Sequence, residues 1–186
     1  MANIMDERKD YVVDLRELFK MQKSLDTYIA KEKSEAYEDH VVRKLNKVFA
    51  LKVEIHEAWN DTMAFKMWSD KYKKPKDTLL KELVDVLHFI LSVALEFNLH
   101  KKLGTVVITK QSFANINKMF FYMDKYTSRI YNKMPYGHLY GIKMDLIAII
   151  DAFFKIVSYY GWNFDDVYNV YVEKNKENFK RQESGY

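Results

Sequence analysis

Between Leu79 and Phe97 the chain reads LLKELVDVLHFILSVALEF, and no other stretch restricts the fold so strongly. Apolar residues occupy nearly every helical angle from Leu83 to Phe97, as they do in a central helix with other helices packed around it. Yet Glu82 and Asp85 sit inside this run, between Leu79 and Leu83 and between Val84 and Val86. Acids are almost never fully buried without a partner, because a carboxylate leaving water loses more than ordinary packing returns. Something else in the chain has to complete them.

The neighbouring segments supply the surrounding helices. From Tyr11 to Ile29, Val12, Leu15, Leu18, Phe19, Leu25 and Ile29 recur at helical spacing and predict a first amphipathic helix. From His40 to Asn60, Val41, Leu45, Val48, Ile55 and Trp59 form the stripe of a second, with Glu54 and Glu57 one turn apart on its flank. Thr78 is the expected cap of the third, which runs to about Asn98. Lys101 to Thr109 contains Gly104 and a β-branched run, so a turn or short extended piece is expected there. Gln111 to Met134 is again helix-like but rich in Asn and aromatics, the pattern of an inserted or peripheral hairpin. A strongly apolar helix follows from Leu139 to Tyr160, stopped by Gly161, and Asn163 is the expected cap of a last helix from Phe164 to Lys180.

Only five Gly and two Pro punctuate the 186 residues, which favours long helices over a sheet with tight turns. The expected fold class is therefore all-α: one helical bundle over residues 1–186, with residues 101–134 as a branch-specific insertion within it. The absence of cysteine excludes disulfides and thiolate metal sites and suits a reducing cytosol. No stretch of about 18 uncharged apolar residues occurs, so a soluble cytoplasmic protein without a membrane span is expected. The 30 basic and 26 acidic residues are too evenly balanced to indicate a nucleic-acid binder. The densest basic run, Lys71 to Lys76, reads either as a solvated loop around Pro75 or as a loop facing phosphates.

Glu54 with Glu57, and Glu82 with Asp85, are two acid pairs at i,i+3, each presented on one helix face. Packed together, the two helices would gather four carboxylates whose mutual repulsion raises their pKa values. A hard divalent cation removes that conflict, since Mg²⁺ takes oxygen ligands and keeps water sites open for substrate phosphates. A single ExxE on an amphipathic helix is better explained by neighbouring lysines such as Lys52 and Lys81, but Asp85 within an apolar helix is not. His88, one turn after Asp85, permits a di-iron carboxylate reading, although the chain has one DxxH where that site needs two ExxH motifs.

ExxE on one helix and ExxD on the next resembles the MazG-like all-α nucleoside triphosphate pyrophosphatases. Five patches narrow this to the dimeric all-α dUTPase family, in its bacterial and phage branch: MQKSLDTYI from Met21, KVEIHEAWND from Lys52, FKMWSDK from Phe65, KELVDVLHFILS from Lys81 and YVEKNKENFKRQESGY from Tyr171. The last is the most specific, because helix packing does not dictate that combination of Asn, Arg-Gln and terminal Gly-Tyr. The likeness spans the chain except for about Lys101 to Met134.

The resemblance implies hydrolysis of dUTP, with dUDP also accepted, to dUMP and pyrophosphate. It assigns Glu54, Glu57, Glu82 and Asp85 to catalysis and to two or more Mg²⁺ ions, with Glu54 as first choice for general base. It carries over Gln22 and Asn178 as ligands of the uracil edge and Trp68 and His88 as pocket positions. Lys71, Lys174 and Arg181 become phosphate contacts, and Tyr171 either touches phosphate or belongs to the core. The family implies a homodimer in the cytoplasm, the host cytosol for a phage-encoded member. In phage members the variable middle resembles surfaces that bind other proteins, including repressors of mobile elements, and Phe120, Phe121, Tyr122 and Tyr126 would suit such a surface, a dimer contact or plain core. Two alternatives stand beside this reading: a related pyrophosphatase for another base, and a helical protein-binding module without activity.

Overall fold

The computed structural model describes residues 10–34, 38–110 and 115–184. A short strand β1 (Tyr11–Asp14) leads into helix α1 (Arg16–Glu32), followed by α2 (His40–Asp61) and α3 (Leu79–Glu96). Strand β2 (Thr105–Ile108) precedes α4 (Ile116–Lys133), α5 (Leu139–Tyr159) and α6 (Phe164–Glu183). The fold is all-α, 73% helical, with six helices and one two-stranded sheet among the described residues. None of these helices is long and apolar enough to cross a membrane.

Helix α3 is the centre, as its sequence requires. Leu79, Leu83, Val84, Val86, Leu87, Ile90, Leu91, Val93 and Ala94 are all fully buried, and α1, α2, α5 and α6 pack against it. Its start differs from expectation. Thr78 makes no side-chain cap and instead donates its hydroxyl to Asp61 Oδ2 at 2.6 Å, so the hydroxyl ties the α2–α3 loop to the end of α2. The other caps follow their chemistry: the Asp39 carboxylate accepts from the backbone N–H groups of Val41 and Val42. Asn163 and Asp166 form a reciprocal capping box at α6.

The expected first helix is shorter by one strand. β1 pairs antiparallel with β2, Tyr11 opposite Ile108 and Asp14 opposite Thr105, and Val13, Val106 and Ile108 face the core. In Val12–Val13 the β-branched pair suits a strand as well as a helix, and only the distant partner at Val106–Val107 decides between them. The extended piece expected near Gly104 is this partner.

Helix α4 is no peripheral hairpin. Ile116, Met119, Phe120, Met123 and Ile130 are buried against α2 and α5, and the Phe120 ring stacks on Trp59 at 5.8 Å. Of the aromatics singled out there, Phe120 is core, Tyr122 and Tyr126 stack on each other, and Phe121 is 60% exposed.

Candidate active site

The stripe Val48, Leu51, Ile55 and Ala58 buries one face of α2 against α3, leaving Glu54 and Glu57 at the edge of the contact. On α3, Glu82 lies in the first turn and Asp85 one turn on. Glu54, Glu82 and Asp85 each offer a carboxylate oxygen, and the three oxygens lie within 4.8 Å of one another. All three side chains are half-buried. Glu57 is exposed, outside this triad, and lines the adjoining cleft with Glu82.

The electrostatics are those of under-compensated acids. Burial, then the charges of Asp85, Glu57 and Glu82, push the Glu54 carboxyl from its usual 4.5 up to about 7. Burial and Asp85 also raise Glu82. Asp85 is raised by burial, against the opposing hydrogen bond and charge of Lys174. Lys174 Nζ sits 2.6 Å from Asp85 Oδ2, reaching across from α6. Arg181, one helical stretch further on, pairs with Glu177 at 2.6 Å and its charge is felt at Asp85.

Below the acids lies a buried polar knot. Gln22 of α1 accepts from the Tyr171 hydroxyl at 2.6 Å, contacts His88 Nδ1 at 2.8 Å and donates from Nε2 to Asp26 Oδ1 at 2.8 Å. The Tyr171 ring stacks on His88 with centroids 4.0 Å apart. Asp26 is held in turn by Lys47 at 2.9 Å and by the Ser92 hydroxyl at 2.7 Å. Gln22 and His88 are thus brought together one turn below Asp85. Tyr171 is fully buried with its hydroxyl engaged by Gln22, which places it in the core.

The remaining expected residues are more dispersed. Asn178 is half-buried on α6. Trp68 and Lys71 lie in the loop between α2 and α3, both exposed; Trp68 is 79% exposed and meets only the edge of Phe65 among the ring contacts of the described residues. That loop is anchored at Asp61, which accepts from Lys76 Nζ and Thr78 Oγ1, both at 2.6 Å. Beside the acids lies a cleft of about 820 Å³ lined by Lys52, His56, Glu57 and Asn60 of α2, by Lys76 and Thr78 of the loop and by Glu82 of α3. Gly185 and Tyr186 lie outside the described residues.

The di-iron alternative loses its histidine: His88 is buried on Gln22, and the group able to hold a metal among the described residues contains acids alone. Sequence reasoning passed over Asp26, Lys47 and Asn175. Asp26 follows Gln22 by four positions and Asn175 follows Tyr171 by four, so helical spacing from two residues already singled out was the available signal.

No curated protein matches the chain. A family model described as dUTPase matches residues 14–186, which takes in the acid pairs, the polar knot and α4 alike. Because that match spans nearly the whole chain, the protein belongs to this all-α dUTPase family and is a dUTP diphosphatase, an enzyme that hydrolyses dUTP.

Proposed function

We propose that the chain hydrolyses dUTP to dUMP and pyrophosphate, and accepts dUDP, in a Mg²⁺-dependent reaction at Glu54, Glu57, Glu82 and Asp85. The observation that carries this reading is the triad of oxygens within 4.8 Å, whose burial raises all three carboxyls despite the charge of Lys174. An all-oxygen donor set suits Mg²⁺, and Glu57 beside the triad is placed to share a second ion. Bound there, Mg²⁺ supplies neutralisation of the triphosphate and a lower pKa for the attacking water.

The chain's own groups do the rest. Glu54, which lies among Asp85, Glu57 and Glu82, takes the proton of the attacking water. Lys174 compensates Asp85 and faces the phosphates as a point charge, whereas Arg181 offers them a planar fork. Lys71 and Trp68 stand on the loop between α2 and α3, Lys71 for phosphate and Trp68 to wall the base. Asn178 and the Gln22–His88 knot lie on the base side. The exposed apolar residues Phe49 and Val53 of α2 form a surface that a second copy would cover in a cytoplasmic homodimer.

The test is pyrophosphate release from dUTP at about pH 7.5 with and without Mg²⁺, beside Asp85→Asn. Turnover should require metal and fall on the order of 100-fold or more in the variant. Turnover without metal, or an unaffected variant, sinks the four-acid mechanism. A kcat/KM for dCTP above that for dUTP sinks the substrate assignment.

A further inference from the structure

Between α2 and α3 the chain leaves at Asp61 and returns at Leu79, and two backbone rungs close the neck of that loop. The Lys76 N–H donates to the Asp61 carbonyl at 2.9 Å, and the Lys73 N–H to the Met63 carbonyl at 3.2 Å. Limbs brought together in this way make a compact surface loop, a form that often carries function. Met63 and Lys73 hold φ at 55° and 57°, in the left-handed region. Residues with a Cβ adopt it at a cost that the surrounding structure has to offset. Trp68 and Lys71 lie between the rungs.

Asn117 of α4 holds the outgoing limb through the Ala64 carbonyl at 3.1 Å, and Asp61 holds the returning one. Asp61 is 6% exposed, and each of its carboxylate oxygens accepts one hydrogen bond from that limb, Oδ1 from Lys76 Nζ and Oδ2 from Thr78 Oγ1, both at 2.6 Å. Hydrogen bonds to an ionised group are about twice as strong as neutral ones. Thr78 is also the last residue before α3, and its carbonyl accepts the Glu82 N–H at 3.1 Å. On α2, Asp61 follows Glu57 by four positions and stands on the same face. One carboxylate thus joins the helix of Glu54 and Glu57 to the loop and to the turn of α3 that bears Glu82. Asp61 is near enough that its charge, after burial and Asp85, helps to raise Glu82. Electrostatics therefore gives no reason to keep an acid at this position, whereas its two hydrogen bonds do.

We propose that Asp61 is a positioning residue of the hydrolysis, which latches the loop bearing Lys71 and Trp68 to the start of α3 and thereby sets Glu82 against Glu54 and Glu57. It touches neither phosphate nor metal. Its two partners differ in kind: Thr78 supplies a neutral hydroxyl that fixes the start of α3, and Lys76, whose side chain is 51% exposed, supplies the charge that compensates Asp61. Unlatched molecules have to close before substrate can meet loop and acids together, so apparent affinity falls in proportion to the fraction still latched. Loop and acids then fail together. Less latch means weaker dUTP and a higher Mg²⁺ requirement, while the fully loaded complex, in which the ligands hold the parts in place, turns over at nearly the original rate.

This inference rests on the roles given above to Glu82 and Lys71, and its test separates the two. The full chain is compared as wild type, Thr78→Val, Thr78→Ser and Asp61→Asn. Without metal, the rate of tryptic cleavage after Lys66 and Lys71 reports the loop; in Mg²⁺, KM and kcat for dUTP and the Mg²⁺ concentration for half-maximal turnover report the site. Thr78→Val should speed loop cleavage, raise KM and raise the Mg²⁺ requirement, each about 5-fold, with kcat changed less than about 2-fold. Thr78→Ser, which keeps the hydroxyl, should restore all three. Asp61→Asn, which weakens both bonds, should move the same quantities about 10–100-fold. Unchanged cleavage in Thr78→Val, faster cleavage with KM and the Mg²⁺ requirement unmoved, or a loss that Thr78→Ser does not recover overturns the inference and leaves the four-acid reading standing. A wild type that turns over without Mg²⁺ overturns the four-acid reading, and cleavage with KM still decides the latch.

Discussion

Helices α2 and α3 carry two clusters of acids, one toward each end, and the two differ in how they are matched. Toward the start of α2 and the end of α3, Glu96 accepts a two-pronged contact from Arg43 at 2.9 and 3.0 Å, and Lys47 bridges Glu96 and Asp26 at 2.9 Å each. At the other end Glu54, Glu82 and Asp85 gather within 4.8 Å of one another, with Lys174 on Asp85 and the charge of Arg181 beyond it. Burial pushes the carboxyls up in both places. At Glu96 the hydrogen bonds from Arg43 and Lys47 outweigh it and the pKa falls below its usual value, whereas Glu54 rises to about 7. Matching, then, decides the sign, and the unmatched cluster is the one that stability alone would not retain.

The sharpest way to break this comparison is to unmatch the matched end. Lys47→Ala leaves the half-buried Asp26 and Glu96 with fewer cations, and unfolding free energy should fall by about 3 kcal/mol in urea melts. A loss under about 1 kcal/mol would mean that Lys47 contributes no more than a surface pair. Removing a charge from the unmatched end should act in the opposite direction: Glu54→Gln should lower dUTP hydrolysis on the order of 100-fold while raising metal-free stability at pH 8 by about 1 kcal/mol. A variant less stable than wild type without metal would show that Glu54 is compensated after all.

Titration sharpens the same contrast. Between the usual 4.5 and about 7 the folded state keeps a proton on Glu54 that the unfolded chain has released, so metal-free stability falls as pH rises through this window. For a half-exposed group screened by solvent the loss should be about 1–2 kcal/mol. Glu96 runs the other way: its depressed pKa contributes stability at neutral pH that disappears as pH falls below the usual carboxylate range. Urea melts from pH 4.5 to 8 in chelator should show the first decline, and melts in Mg²⁺ should not. A metal-free curve that climbs toward pH 8 would reverse the assignment.

The contrast also explains what could be read from the sequence. The grouping of Glu54, Glu82 and Asp85 was legible because two of them interrupt the apolar run of α3, a conflict visible in one dimension, whereas Glu57 stands outside it. The fold class was legible for the same reason, since an all-round apolar helix has to be surrounded. Lys47 and Asp26 were not, because each lies on a helix flank where a solvated charge is the ordinary explanation, and only the approach of α1 to α2 and α3 buries them. The β1–β2 pairing depends on residues some 90 positions apart, which local periodicity does not reach. Helix α4 was misjudged as peripheral because its Asn and Tyr residues masked a buried stripe at Met119, Phe120, Met123 and Ile130.

A third acidic site supplies the control with the smallest expected effect. Asp124 of α4 is paired with Lys52 at 2.6 Å and with His56 at 2.9 Å, and its carboxyl is held below the usual value despite some burial. The contacts are as short as those at Glu96, but the side chains of Lys52 and His56 are 39% and 53% exposed, against 10% for Lys47. Water therefore solvates whatever charge is left when a partner is removed. Lys52→Ala should cost less than about 1 kcal/mol, most of it gone at high salt, as read by urea melts at low and high ionic strength. A cost approaching that of Lys47→Ala would mean that contact distance rather than burial sets the value of a pair. The distinction between the two ends of α2 and α3 would then have to rest on the number of cations alone.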